Sequence, residues 1–588
     1  MRRFVLGFFA TIGIVTMLAF IGVGVVIWRV AAIEPSLPEK IVLSVELGNG
    51  LAAGARPDPV SELLFGSKPT LRDFLDALER AADDPRVKGL YARLGGDALG
   101  LATCQEVRDA VRDFRAKGKF AIAFTDSFGE AGPGTRPYYL ATAFDEIWLQ
   151  PLGSLGLIGL HSETPFLRTA LDRLGIQPSF AHRGEYKTAM NSLTETAMTP
   201  PQREEIEDLL LATSGQIVRG IATARKLPEA QVSGLIDRGP LLANEALEAH
   251  LIDRIGYRDE VVARVRERAG ADAKLVPLSL YLAGAGRPHR SGPKIALIYG
   301  TGLLTSGDGT APLLDTAELG ARAVGRAFQQ AASDAEVRAI VFRIDSPGGS
   351  AVASETVWRE VFRARDRGKP VIVSMGDVAG SGGYYIAAPA NKIVAEPSTL
   401  TGSVGVLAGK VVISEMLHKL GITDASAQRG ANAAMFSIFE DFSPAARERL
   451  EASLDEVYRG FKAHVASGRH LSEEQVEAVA KGRVWTGEEA KDNGLVDALG
   501  GYDVALRLAK EAAKLPSDQA FTLAVFPREK GTIAAIYDRF FDIDRDGEPA
   551  APAALQGTMT GMTRLLAGIV SLLHDPGVLR MPPLGEIR

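Results

Sequence analysis

The sequence predicts an α/β protein: two tandem copies of one domain, each built around a parallel sheet, following one N-terminal transmembrane helix. Three observations predict it. Segments of the first half recur in the second at a nearly constant spacing, with Tyr138–Tyr139 and Tyr384–Tyr385 set 246 residues apart. Within each copy, apolar β-branched runs alternate with helical stretches. That alternation is the pattern of a parallel sheet covered on both faces. Finally, Phe4 to Trp28 is a run without a single charge.

The uncharged run comes first in the chain. A membrane-crossing helix needs ~20 apolar residues, and this stretch supplies them. Arg2 and Arg3 precede it, so the positive-inside rule places the N-terminus in the cytoplasm. A cleaved signal peptide is the alternative, but its apolar core is ~7–15 residues long, and "WRVAAIEP" is a poor cleavage site. Residues 1–32 are therefore expected to be an anchor, with residues 4–28 in the lipid bilayer. The rest of the chain then lies outside the cytoplasm.

The first copy is expected over residues 41–283 and the second over 294–535, with "GAGRPHRSGP" (284–293) as a linker. "GLYARLGGDALGLATCQEV" from Gly89 parallels "AIVFRIDSPGGSAVASETV" from Ala339 at a spacing of 250. The change from 250 to 246 means four extra residues in the first copy near "FGEAGPGTR". "GIQPSFAHRGEYKTAM" parallels "GITDASAQRGANAAM", and "HLIDRIG" parallels "GLVDALG". A repeat this long exceeds a solenoid unit and reads as domain duplication. In the second copy "KIALIYG", "VRAIVFRIDS" and "PVIVSMG" read as strands, and "TAELGARAVGRAFQQAASD" and "ASETVWREVFRARDRG" as the helices between them. The tail, 536–588, contains the linker-like "DGEPAAPAALQG" and the short apolar helix "MTRLLAGIVSLLHD", too short for a second span. It is expected to pack against its own or a neighbouring subunit.

Composition removes several function classes. The chain has 588 residues, 46% hydrophobic and 23% charged, with a net charge of −6. No basic footprint for nucleic acid is present. Cys104 is the only cysteine, so one chain can form neither a disulfide nor a thiolate zinc site. The eight histidines show no HExxH-like spacing, and no Walker A motif is present. No metal or cofactor is expected.

The chemistry points to serine. In "DSPGGS", Asp345 to Ser350, a glycine-rich turn ends a strand, and such a turn can aim backbone N–H groups at one oxygen. Ser381 lies in "GSGG" at the start of a helix-like run, where the N–H of Gly382 can join that hole. The first copy holds Thr135 in its place. Conversely, Lys187 in "HRGEYKTAM" has Ala433 as its counterpart, and Ser403 in "TLTGSVGV" has Leu157. One copy keeps a nucleophile and the other keeps a base. Burial, by disfavouring the ammonium, would make Lys187 neutral and able to take a proton, and Ser403 is the candidate to hold its amine. A Ser381–Asp441–His464 triad is possible in chain order, though the glycine elbow around Ser381 lacks its first glycine.

At these residues the chain resembles bacterial signal peptide peptidase (protease IV) in its long, duplicated, membrane-anchored form. The motifs that carry the resemblance are "RIDSPGGS", "SMGDVAGSGGYYIAAPANKIVAEPSTLTGSVGV" and "WTGEEAKDNGLVDALGG". The resemblance implies a fold of the Clp protease/crotonase type, a βαβ spiral in each copy. It implies Ser381 as nucleophile, Lys187 as general base, Gly349 and Gly382 as the oxyanion hole, and Ser403 orienting the lysine. It further implies a homotetramer on the periplasmic face of the bacterial inner membrane, hydrolysing remnant signal peptides and other apolar peptides. Two alternatives share the expected fold: a crotonase-type acyl-thioester enzyme, and an assembly scaffold without activity.

Overall fold

The structure, a computed structural model, describes residues 36–52, 54, 68–130, 132–309 and 318–527, and the backbone of 578–580. The expected span within 1–32 and the apolar helix expected in the tail lie outside the described residues. Among the described residues no helix is long and apolar enough to cross a membrane.

The first copy contributes β1 (Ile41–Glu46), β2 (Val87–Arg93), β3 (Phe120–Thr125), β4 (Glu146–Leu149), β5 (Ser154–Leu155), β6 (Gln177–Arg183), β7 (Leu241–Leu242), β8 (Arg254–Ile255) and β9 (Lys274–Pro277). Its main sheet runs β8-β4-β3-β2-β1-β9, and every pairing in it is parallel. The second copy contributes β10 (Lys294–Thr301), β11 (Leu303–Thr305), β12 (Glu318–Gly320), β13 (Val337–Ser346), β14 (Gly348–Ser350), β15 (Val371–Gly380) and β16 (Lys392–Ala395). It continues with β17 (Leu400–Gly402), β18 (Val406–Val412), β19 (Val484–Thr486), β20 (Ala498–Leu499), β21 (Thr522–Phe526) and β22 (Val578–Arg580). The parallel sheet of this copy runs β20-β16-β15-β13-β10-β21, the same order as in the first. The duplication seen in the sequence is thus a duplication of sheet topology.

Strand alternation assigns the second sheet's two faces to different cores. Ile295, Leu297, Ala339 and Val341 pack into a cluster that also holds Phe74, Leu78, Val107 and Val111 of the first copy's helices Leu71–Ala82 and Leu101–Ala116. Ala296, Ile298, Ile340 and Phe342 face the other way, against the second copy's own helices Ala321–Ser333, Ala351–Asp366 and Pro444–Arg469. The copies therefore share one core rather than sitting side by side. A buried ion pair crosses the same boundary, Arg343 to Glu106 at 2.8 Å. Asp377 of the second copy accepts the N–H of Thr103 at 2.9 Å, at the start of helix Leu101–Ala116. Residues 284–293 pass between the copies, but this stretch is held in place. Arg287 pairs with Asp73 and Asp76, and His289 lies 3.0 Å from Glu79 and stacks on Phe521.

Two local readings change. "PVIVSMG" is expected to stop at Gly376, yet β15 continues to Gly380 and delivers Ser381 at its end. The glycine turn of "DSPGGS" is itself a strand, β14. A register shift in the β13–β15 pairing between Ile344 and Ser346 precedes it, and β14 joins a smaller sheet ordered β12-β11-β14-β22-β18-β6. A bulge bends its strand and redirects the chain that follows.

Candidate active site

The smaller sheet explains how two residues from different copies meet. β6 of the first copy pairs antiparallel with β18 of the second over seven residue pairs, from Val406–Arg183 to Val412–Gln177. Lys187 lies four residues beyond β6, and Ser403 three residues before β18. The loop that carries the lysine docks on the second copy, where Tyr186 N–H donates to Lys481 O at 2.9 Å. A Cβ on Gly482 would stand 2.5 Å from the Lys187 backbone nitrogen, and Gly482 has φ +83. Only glycine allows both that backbone conformation and that approach.

Lys187, Ser381 and Ser403 are each 0% exposed. The Lys187 amine lies 2.8 Å from Ser381 Oγ, 2.9 Å from Ser403 Oγ and 3.0 Å from Ser403 O. Burial pushes the lysine well below its usual range, opposed in part by the carboxyl of Glu205. A neutral amine has two N–H groups and one lone pair. The Ser403 carbonyl can only accept, so the amine donates to it and to Ser403 Oγ, leaving the lone pair to accept the Ser381 hydroxyl proton. The contact lies within a single chain.

Backbone strain surrounds this triplet. Ser381 has φ +55 and Ser403 has φ +52, a region that side-chain-bearing residues seldom occupy. Both are tied down: Ser381 N–H donates to Gly402 O at 2.8 Å, and Ser403 N–H to Arg483 O at 2.7 Å. Such strain persists only where the surroundings over-determine it. A Cβ on Gly349 would stand 2.2 Å from Leu304 O. A Cβ on Gly382 would stand 2.7 Å from Ser354 Oγ and 3.1 Å from the Gly348 Cα. The loops carrying these two glycines are therefore in contact beside Ser381.

The triad alternative fails on geometry. His464 stacks on Trp358 and lies 3.1 Å from Glu355, while Asp441 accepts from Gln177 at 3.0 Å. The histidine and the carboxylate are thus engaged with separate partners, and neither contacts the other. The tyrosine pair that reveals the repeat is structural. Tyr138 O–H donates to Leu251 O at 2.8 Å, and Tyr384 O–H to Leu495 O at 2.9 Å, in equivalent places. In the first copy Thr135 donates to Gly159 O at 3.0 Å and Leu157 is fully buried, so its equivalent site is closed by a hydroxyl–backbone bond and apolar bulk.

One polar neighbour of the lysine is not legible in the sequence. Glu205, on helix Pro200–Arg225, accepts the Val484 N–H at 2.7 Å. Its other oxygen is buried without a hydrogen-bond partner among the described residues. Burial raises it to about 8. "PPQREE" in a helix's first turns looks like ordinary solvated charge, and nothing local marks the second glutamate as buried.

The model of "Peptidase family S49" matches the chain twice, over residues 114–272 and 363–516. "Protease 4" of Salmonella typhi is 33% identical over 462 residues, 76% of this chain and 72% of that protein. "Serine protease SPPA, chloroplastic" of Arabidopsis thaliana is 31% identical over 480 residues, 80% of this chain and 70% of that protein. Among solved structures, a Listeria monocytogenes ClpP1 mutant covers 35% of this chain and 92% of its own at 17% identity, with a TM-score of 0.23. A chain with two matches to the family model, and two relatives aligned across most of its length, belongs to peptidase family S49 and is a serine peptidase.

Proposed function

We propose that Ser381 is the nucleophile and Lys187 the general base of a membrane-anchored endopeptidase that degrades signal peptides after their release from preproteins. The 2.8 Å contact between a fully buried lysine amine and the Ser381 hydroxyl carries this reading. The neutral amine takes the hydroxyl proton as Oγ attacks the peptide carbonyl. The N–H groups of Gly349 and Gly382 receive the oxyanion, each such donor being worth ~2.7–4 kcal/mol. The lysine ammonium then protonates the leaving amine and the C–N bond breaks, leaving an ester on Ser381. Water, deprotonated by the same amine, releases the acid product. Ser403 positions the amine through its carbonyl and hydroxyl. The uncharged run at residues 4–28 supports an inner-membrane anchor with the two copies on the periplasmic side, where apolar signal peptides are met. Turnover of an apolar fluorogenic peptide by the full chain in detergent tests the reading. Hydrolysis of acyl thioesters with no peptide turnover would overturn it.

The buried carboxyl gives the reading a pH signature. Below about pH 8 Glu205 is protonated and resembles glutamine. Above it, the carboxylate favours the lysine ammonium and subtracts from the neutral base. Activity of wild type and Glu205→Gln is expected to coincide at pH 6–7 and to diverge above about pH 8, with the glutamine variant higher. A loss of activity in Glu205→Gln at pH 6–7 would show instead that the ionised carboxylate is required.

The homotetramer expected from the resemblance gains support from the same β6–β18 pairing. The repeat equivalents of those strands, residues 423–429 and 160–166, are not strands. Near the first of them Leu420, Ile422 and Phe436 are 69%, 50% and 61% exposed. A neighbouring subunit's first copy would cover this surface by repeating the intrachain contact head to tail, and such contacts close into a ring where the rotation between subunits divides a full turn. The double substitution Ile422→Asp with Phe436→Asp is expected to convert the assembly to a single chain by light scattering. An unchanged mass would remove this surface from the assembly.

A further inference from the structure

β15 reaches Ser381 only by leaving the ladder. From Ile344 to Ser346 β13 advances two residues, whereas β15 opposite it advances four, from Met375 to Ala379. Gly376, Asp377 and Val378 thus form a bulge facing Asp345. A bulge disrupts the ladder locally and re-aims the strand beyond it, so its backbone polar groups need other partners. Side chains supply three of them. Asp345 Oδ1 accepts the Val378 N–H at 3.1 Å. The Thr399 hydroxyl donates to Gly376 O at 2.8 Å, and the Thr401 hydroxyl donates to Ala379 O at 2.7 Å. A Cβ on Gly376 would stand 2.8 Å from the Asp345 Cγ, so the carboxyl lies against the bulge. The next residue, Ser346, presents its carbonyl to Gly383 in the first turn of helix Gly382–Ala387, where a Cβ would come within 2.6 Å.

The first copy lacks this arrangement. At the repeat spacings of 250 and 246, Gly95, Gly153 and Leu155 stand in place of Asp345, Thr399 and Thr401. β2 and β3 pair in unbroken register from Gly89 to Arg93, and β3 ends at Thr125. The acceptor, the two hydroxyls and the bulge occur together in the copy that holds Ser381.

We propose that Asp345 is a positioning residue for Ser381: its carboxyl oxygen stands in for the ladder acceptor that the bulge gives up, and so fixes where β15 ends and where the serine stands. The proposal rests on the peptidase reading for what Ser381 does there, and on the strand register for what Asp345 holds. Misplacing a reacting group by about 1 Å costs a factor on the order of 10² in rate, while the surfaces that bind peptide stay in place. The role needs an acceptor at this point and not a charge. Burial, and secondly the charge of Asp377, raise the Asp345 carboxyl to about 7; Arg343 opposes the rise and Glu106 adds to it. At pH 7 the group is therefore protonated about half of the time. Asparagine reproduces that form, with an oxygen that accepts and an N–H that donates.

The test compares the full wild-type chain in detergent with Asp345→Ala, Asp345→Asn and Thr401→Val, on an apolar fluorogenic peptide at about pH 7. Asp345→Ala is expected to lower kcat about 100-fold with KM within about twofold of wild type. Asp345→Asn, whose amide oxygen still accepts the Val378 N–H, is expected to keep both constants within about threefold. Thr401→Val, which loosens the bulge from its other side, is expected to lower kcat about tenfold. Wild-type kcat in both Asp345→Ala and Thr401→Val overturns the proposal. An equal loss in Asp345→Asn and Asp345→Ala overturns it as well, because the isostere keeps the acceptor. Hydrogen exchange across residues 371–385, read by mass spectrometry on the same chains, separates the two readings. Faster exchange there in Asp345→Ala but not in Asp345→Asn, with no peptide turnover by wild type, keeps the positioning role and rejects the peptidase mechanism. Peptide turnover that none of the substitutions changes rejects the role of Asp345 and keeps the peptidase.

Discussion

Ser381→Ala is expected to lower kcat on an apolar peptide by a factor on the order of 10⁶, the loss seen when a serine peptidase is stripped of its nucleophile. No other hydroxyl can take over. Ser403 Oγ is also 2.9 Å from the amine, but Ser403 is held by its N–H to the Arg483 carbonyl. The glycines that would receive the oxyanion are adjacent to Ser381 in space or in sequence. The fold should survive, because alanine removes one hydroxyl whose one hydrogen-bond partner among the described residues is the lysine amine. Single-turnover assays and the thermal midpoint, measured on the same preparation, check both halves of the expectation. Activity above about one part in 10³ of wild type would place the nucleophile elsewhere.

Lys187→Met is expected to cost kcat a similar factor at every pH, with no rescue in alkali, because the thioether cannot accept a proton. Methionine is preferred to alanine since it fills the buried volume and avoids a cavity cost of about 2–5 kcal/mol. Residues that act as a unit are strongly non-additive. The double variant Ser381→Ala with Lys187→Met should therefore be no slower than either single one. The lysine also leaves a mark on stability. Its folded pKa lies below the unfolded value of about 10.5, so across that window the unfolded chain binds more protons and wild-type stability rises with pH. Lys187→Met is expected to lose that rise. Denaturant midpoints collected from neutral to alkaline pH measure it, and parallel curves for the two proteins would mean that Lys187 is already charged in the folded state.

Much of this was legible from particular residues. β10 and β13 read as continuous apolar runs because both faces of a parallel sheet are buried. The pairs Ser381/Thr135, Lys187/Ala433 and Ser403/Leu157 stood out because a duplicated domain offers its own control: the lysine and Ser403 have apolar counterparts, and Ser381 has a threonine, so the copies differ at all three positions. The end of β15 was misjudged because Asp377 and Gly380 resemble turn residues. Asp377 instead caps a helix of the other copy at Thr103, and that partner is 274 residues away.

By itself the sequence determined the two-copy α/β plan and the residues in which the copies differ, since strand periodicity, turn composition and repeat spacing are written locally. Only the tertiary structure decided that Lys187 reaches Ser381 of its own chain, that Gly482 must be a glycine, that Glu205 lies buried near the amine, and that β22 pairs between β14 and β18. Each of these depends on which strand edges meet. Backbone edges are chemically alike, so the β6–β18 pairing that brings Lys187 to Ser381, 194 residues away, leaves no signature in either strand. It follows from how the two sheets and their shared core fit together.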